Sequence, residues 1–184
     1  MNYLIDTCVL FPTVMRTFLL EAVKSKYDSA FWSEKILREW SASAKKAGEL
    51  GQLQADAEIS ILRANWPNSI ISFSLDLEDS LYLPDLNDRH VLAAAITGKC
   101  DAIITLNKKD FPSQILDQYG LIRLDPDHVI LEYLKDDPPI IIEIAQGLLS
   151  EANSKFNQEW TIRQLLRKAR LPRTAKALSI LIDG

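Results

Sequence analysis

The stretch 83–111, LPDLNDRHVLAAAITGKCDAIITLNKKDF, restricts the fold more than any other part of this chain. Residues 89–97 form a strongly apolar run of helical length, with Asn87 or Asp88 placed as N-cap and Gly98 placed as stop. Residues 101–106 are then a short apolar run of β-formers, which reads as a buried strand. A helix that precedes a strand of a parallel sheet runs antiparallel to it, so the start of the helix and the end of the strand share one rim. Asp85 and Asp88 stand at that start, and Asn107 and Asp110 follow that end. Carboxylates that converge without basic partners do so around a divalent cation.

The rest of the chain repeats the alternation. Residues 2–5 read as a first buried strand ending at Asp6-Thr7. A helix is expected from Val9 through Val23, with Leu10, Val14, Phe18 and Ala22 on one face and Pro12 tolerated in its first turn. Residues 30–32 form a second strand, and Ser33 opens a helix whose stripe is Ile36, Leu37 and Trp40 and which carries Glu39. A turn at 48–51 leads into a helix over 53–66; residues 70–83 are mixed; 121–124 form a last strand and 126–134 a last helix. Strands alternating with helices predict an α/β fold with a central, mostly parallel sheet. Asp136-Asp137-Pro138-Pro139 marks the expected boundary between a domain of residues 1–136 and a helical C-terminal extension of residues 137–184.

Bulk properties narrow the setting. The length of 184 residues holds one full domain and a short appendage. No stretch approaches the roughly 18 apolar residues of a membrane span. The start MNYLID has no basic and apolar leader pattern, and the two cysteines, Cys8 and Cys100, read as free thiols in a reducing compartment, so a cytoplasmic location is expected. The net charge of −4 is unevenly spread: residues 1–150 carry 14 Lys and Arg against 22 Asp and Glu, whereas residues 151–184 carry 7 against 3. Within that basic tail, Arg163, Arg167, Lys168, Arg170 and Arg173 are candidates for a binding surface, the competing reading being a solvated helical face.

In a parallel α/β sheet, ligands collect at the carboxyl ends of the strands. Asp6 ends the first strand, Asn107 and Asp110 follow the strand at 101–106, Asp88 opens a helix on the same rim, and Glu39 lies on a neighbouring helix. Phosphodiester cleavage needs an activated water, stabilised charge on phosphate oxygens and an assisted leaving oxygen; one or two carboxylate-held Mg²⁺ ions supply all three without histidine. The two histidines, His90 and His128, have no zinc-ligand spacing, and GxSxG, GxxxxGK[ST] and GxGxxG are absent. Each acid also has an ordinary reading. Asp6 fits an Asx turn, Asp88 a helix cap, Asp85 a turn after Pro84, Glu39 a solvated helix position, and Asn107 with Asp110 a turn. His90 reads as a partly buried helix residue, and Thr7 and Thr105 as hydroxyls that position the acids or as plain β-formers.

At these residues the chain resembles the PIN-domain family, in particular the VapC-like toxins of bacterial type II toxin–antitoxin systems. The resemblance rests on LIDTCVL, SEKILREW, LPDLNDRHVLAAAI and AIITLNKKDFP, in order over about residues 1–131. The helical tail is similar to the extension of some longer members. The resemblance implies a PIN-like three-layer fold and a metal-dependent endoribonuclease using Mg²⁺ or Mn²⁺. It implies Asp6, Glu39 and Asp88 as central metal-holding acids, Asp110 as the last acid, and Asp85 as a ligand through water. Asn107 stands where many relatives have Asp, and Thr105 would position the site. A homodimer held inactive by a cognate antitoxin protein is also implied. The competing classes are a non-catalytic PIN-like module that binds a protein or RNA, and a HAD-like phosphatase, which the lack of a DxD start at Asp6-Thr7-Cys8 disfavours.

Overall fold

The structure, a computed structural model, describes residues 1–157 and 159–183. The chain opens with β1 (Asn2–Ile5), a single helical turn α1 (Thr7–Leu10) and α2 (Thr13–Ser25). The continuous helix expected over 9–23 is therefore two. Pro12 takes an extended conformation (φ −77°, ψ 114°), and its missing N–H cannot continue a helical ladder. Next come β2 (Ser29–Ser33), α3 (Glu34–Ala44), α4 (Glu49–Asn65) and β3 (Ile70–Ile71). Ser33 caps α3, its hydroxyl accepting from the Ile36 N–H at 3.2 Å. The segment read as mixed contains α5 (Leu75–Ser80), capped in the same way by Ser74. The chain then runs through α6 (Arg89–Thr97), β4 (Ala102–Ile104), α7 (Ser113–Leu116) and β5 (Ile122–Leu124). Four helices close it: α8 (Pro126–Asp136), α9 (Pro138–Phe156), α10 (Ile162–Lys168) and α11 (Pro172–Asp183).

Two compact units emerge, Met1–Phe11 with Ser29–Arg123, and Pro12–Asp28 with Leu124–Gly184. The boundary expected after residue 136 falls between α8 and α9, inside the second of these, and α2 belongs to that second unit as well.

Among the described residues the sheet has five strands in the order β3-β2-β1-β4-β5. β1 pairs in parallel with β2 and with β4, and β2 pairs in parallel with β3, which makes this the expected α/β architecture. Successive strands add outward on one side of β1 and then restart on its other side. The order therefore reverses between β1 and β4, and a crevice opens where connections leave in opposite directions. Ile5 is in register with Ile104, and the Asp6 N–H donates to the Ile104 carbonyl at 3.1 Å. Asp6 and Thr105 thus leave their strands side by side at that crevice.

The core of the first unit is built from Leu4, Ile5, Trp32, Ile36, Leu37, Trp40, Ile103 and Ile104, all essentially inaccessible. Each such side chain contributes about 1.5–3 kcal/mol of burial. α6 is buried from His90 through Ala95, and its alanines keep the helix thin enough to be covered on most sides. Gly98 ends α6 without left-handed backbone, at φ −77°. A Cβ there would stand 2.1 Å from Ile71 Cδ1, so the glycine serves close approach to β3.

The second unit is helical. Asp127 of α8 is buried and accepts the N–H groups of Arg173 and Thr174 at 2.8 and 2.9 Å, while the Thr174 hydroxyl donates to the Asp127 carbonyl at 3.2 Å. One carboxylate so satisfies two orphan donors at the start of α11 and ties it to α8. Tyr133 donates to Asp28, and Lys26 pairs with Asp136 at 2.6 Å, joining α8 to the end of α2.

Candidate functional site

Three elements of the first unit deliver the acids to the crevice. The end of β1 presents Asp6, which is buried; Oδ2 accepts from the Thr105 hydroxyl at 2.6 Å and from the Cys8 thiol at 3.1 Å. Thr105 in turn accepts the Asn107 N–H at 2.9 Å. One hydroxyl thereby bonds both the acid of β1 and the turn after β4. Thr7 turns toward α3, where its hydroxyl donates to Glu39 Oε2 at 2.8 Å. The other oxygen of Glu39 lies 2.7 Å from His90 Nε2.

His90 is fully buried, and among the described residues neither ring nitrogen has a well-directed hydrogen bond. The contact with Glu39 is close but does not meet hydrogen-bond geometry. For the Glu39 carboxyl, burial pushes the pKa up. The His90 contact, the Thr7 hydroxyl and the charge of Lys35 outweigh it and leave the group below the ordinary value.

The third element is the turn into α6. Asp85, Asp88 and Asp110 each place an oxygen so that all three lie within 4.8 Å of one another. Asp88 stands at the N-cap position of α6, yet its side chain caps nothing. Asp85 does serve its turn, accepting the Asn87 N–H at 2.9 Å, so its turn role and its place in the cluster coexist. The Asn107 amide nitrogen bridges Asp110 and Asp88, the latter at 3.4 Å. A neutral donor at that position relieves repulsion that another acid would add. Burial first, and then the charges of Asp6, Asp85 and Asp110, push the Asp88 carboxyl up to about 6. Burial beside Asp6 likewise pushes the Cys8 thiol up to about 12, which keeps it a neutral donor.

Among the described residues only Asp85, Asp88 and Asp110 stand close enough to share one cation, and Asp6 and Glu39 lie outside that group. Asp6 and Glu39 are held by the adjacent Thr105 and Thr7, while Asp85, Asp88 and Asp110 form the tight cluster. Two contributors escaped the sequence reading, the His90 contact to Glu39 and the Cys8 donation to Asp6. The signal for Cys8 was its position two residues beyond Asp6. His90 offered only a histidine on an otherwise apolar helix. The tail residues Arg163, Arg167, Lys168, Arg170 and Arg173 are all exposed on the second unit.

The cluster contains only oxygen donors, and among the described residues none of its three acids is salt-bridged. Mutually repelling carboxylates without a cationic side chain fit a hard divalent cation such as Mg²⁺ or Mn²⁺.

A family model described as "PIN domain" matches residues 2–109, more than half of the chain. Over 47 residues the chain is 45% identical to a protein named "Putative ribonuclease VapC50" from Mycobacterium tuberculosis (strain ATCC 25618 / H37Rv), a match covering 26% of this chain and 28% of that relative. The chain thus aligns with under a third of the relative's length. No solved structure matches it.

Proposed function

From a chain that belongs to the PIN-domain family, we propose a Mg²⁺- or Mn²⁺-dependent endoribonuclease, the toxin component of a type II toxin–antitoxin system. The observation that carries this reading is the convergence of Asp85, Asp88 and Asp110, with Asp6 near enough for its charge to raise the Asp88 carboxyl. The partial likeness to a protein named a ribonuclease agrees with it.

In this reading Asp6, Glu39 and Asp88 would hold the cation, with Asp85 and Asp110 completing its surroundings. A bound divalent cation would supply an acidified water and charge neutralisation on the phosphate. Thr105 and Cys8 restrict the rotation of Asp6, and Thr7 with His90 restricts that of Glu39, so both acids would be oriented before a cation binds. The Asp88 carboxyl, pushed up to about 6 by burial and its acidic neighbours, would be held ionised by a bound cation. Asn107 keeps Asp110 turned toward Asp88. The five exposed cations of the tail contact the RNA backbone, and the protein is a cytoplasmic homodimer silenced by a cognate antitoxin. The nuclease domain is residues 1–136, with residues 137–184 its helical extension.

The test is cleavage of a mixed RNA pool with EDTA, Mg²⁺ or Mn²⁺ by the wild type and by Asp6→Asn. Cleavage that needs the metal and disappears in a folded Asp6→Asn protein is expected. Metal-independent or retained cleavage would sink the assignment. A non-catalytic PIN-like module is the second reading, favoured by Asn107 standing amid the acids; binding of RNA without any cleavage would establish it.

A further inference from the structure

A cleft of about 600 Å³ lies against the candidate site within the first unit, and Glu39 is part of its lining. Its apolar side comes from β3 and the residues after it, with Ile71, Phe73 and Leu75. Its polar side is one face of α3, which brings Lys35, Arg38 and Glu39 together at helical spacing. The charges here are not equivalent. Lys35 is committed to Glu78, with Nζ 2.5 Å from Oε1. Glu34 is committed to Arg63 at 2.7 Å, and Glu39 to Thr7 and His90. Arg38 donates only through Nε to the Glu34 backbone carbonyl at 3.3 Å, and among the described residues no carboxylate pairs with its guanidinium.

A half-buried aromatic ring, an uncommitted guanidinium and a shared wall with the acid site fit one kind of occupant. We propose that this cleft seats the nucleotide flanking the scissile bond of an RNA substrate, with its base on Phe73 and its phosphate on Arg38. Aromatic side chains give single-stranded nucleic acid its stacking platforms, and arginine pairs with phosphate through two N–H groups. A volume in the about 300–1,000 Å³ range of ligand pockets has room for one nucleotide. An apolar peptide in the same cleft would cover the Arg38 charge without supplying an anion. The assignment rests on the ribonuclease reading and adds to it a specificity subsite.

The experiment has two arms, both on the full chain. In the first, cleavage of a randomised RNA pool is compared for wild type, Phe73→Ala, Phe73→Tyr and Arg38→Ala. Phe73→Ala should raise KM about tenfold with kcat largely kept, and should flatten base preference at one position beside the cut. Phe73→Tyr should restore both, and Arg38→Ala should raise KM and lower the salt dependence of binding. In the second arm, Asp6→Asn protein is irradiated with short oligoribonucleotides carrying one 4-thiouridine. Cross-linking to 71–75 is expected, and its loss in Phe73→Ala with recovery in Phe73→Tyr. Unchanged KM and base preference in the variants, or cross-links confined to other segments, overturns the subsite. A wild type that cleaves no RNA overturns the ribonuclease reading alone, because the cross-linking arm still decides the cleft.

Discussion

Glu39 Oε1 lies 2.7 Å from Nε2 of His90, a side chain with no solvent exposure. The Glu39 carboxylate, which accepts the Thr7 hydroxyl, thus also packs against a residue from the buried interior of α6. His90→Ala should free Glu39 and weaken Mn²⁺ binding about tenfold, as loss of a residue that orients a ligand does. Isothermal titration of wild type, His90→Ala and His90→Gln measures it, with thermal unfolding to confirm folding. Equal affinity in a folded His90→Ala protein removes the positioning role.

The Asp88 carboxyl, pushed from 3.8 up to about 6, makes the metal-free protein pH-dependent. A carboxyl with a raised native pKa prefers the protonated form in the folded state. Its contribution to stability is complete below the ordinary value and is lost as pH rises through about 6. In EDTA, Tm should therefore fall between about pH 4 and pH 7, and Asp88→Asn should flatten that decline. Added Mn²⁺ should raise Tm more above about pH 6 than below it, since the cation competes with the proton. An Asp88→Asn profile that parallels the wild type refutes this.

Asp127 holds two backbone N–H groups of α11 in a buried setting. Asp127→Ala should cost about 2–4 kcal/mol, because both donors lose a charge-assisted partner away from water. Urea unfolding gives the value directly. A loss below about 0.5 kcal/mol, within the range of ordinary surface changes, contradicts the latch.

Gly98→Ala should cost about 1–3 kcal/mol through overpacking against Ile71. The backbone at φ −77° suits alanine, so the clash alone is responsible. Ile71→Ala removes the clashing atoms, and the double variant should be more stable than the sum of the single changes implies. Strict additivity in that thermodynamic cycle shows that the two residues are not coupled.

Where signals are local, the sequence was legible to the residue. α6 spans Arg89–Thr97 as expected, since the apolar run and the glycine that ends it are signals within one or two helical turns, although the Asp88 side chain does not cap it. Ser33 with Ile36 opened α3 as expected. α5 was missed although Ser74 caps it, because its exposed Leu75 and acidic run show no apolar period. Gly98 was legible as a stop but not as a contact, since Ile71 lies far off in sequence. The ordinary readings of the acids also met different outcomes. Asp85 does hold its turn, whereas Asp88 occupies the cap position without capping.

By itself the sequence determined the alternation of strands and helices, the parallel sheet and the acids at its ends, because periodicity and capping depend on near neighbours. Only the tertiary structure decided which of those acids meet. The strand order β3-β2-β1-β4-β5 sets Asp6 beside Thr105, and the turn into α6 brings Asp85 to Asp88 and Asp110. The same holds for His90 under Glu39 and for the Asn107 amide between two acids. Such meetings are set by crossovers and close packing between segments far apart in the chain, and no local pattern encodes them.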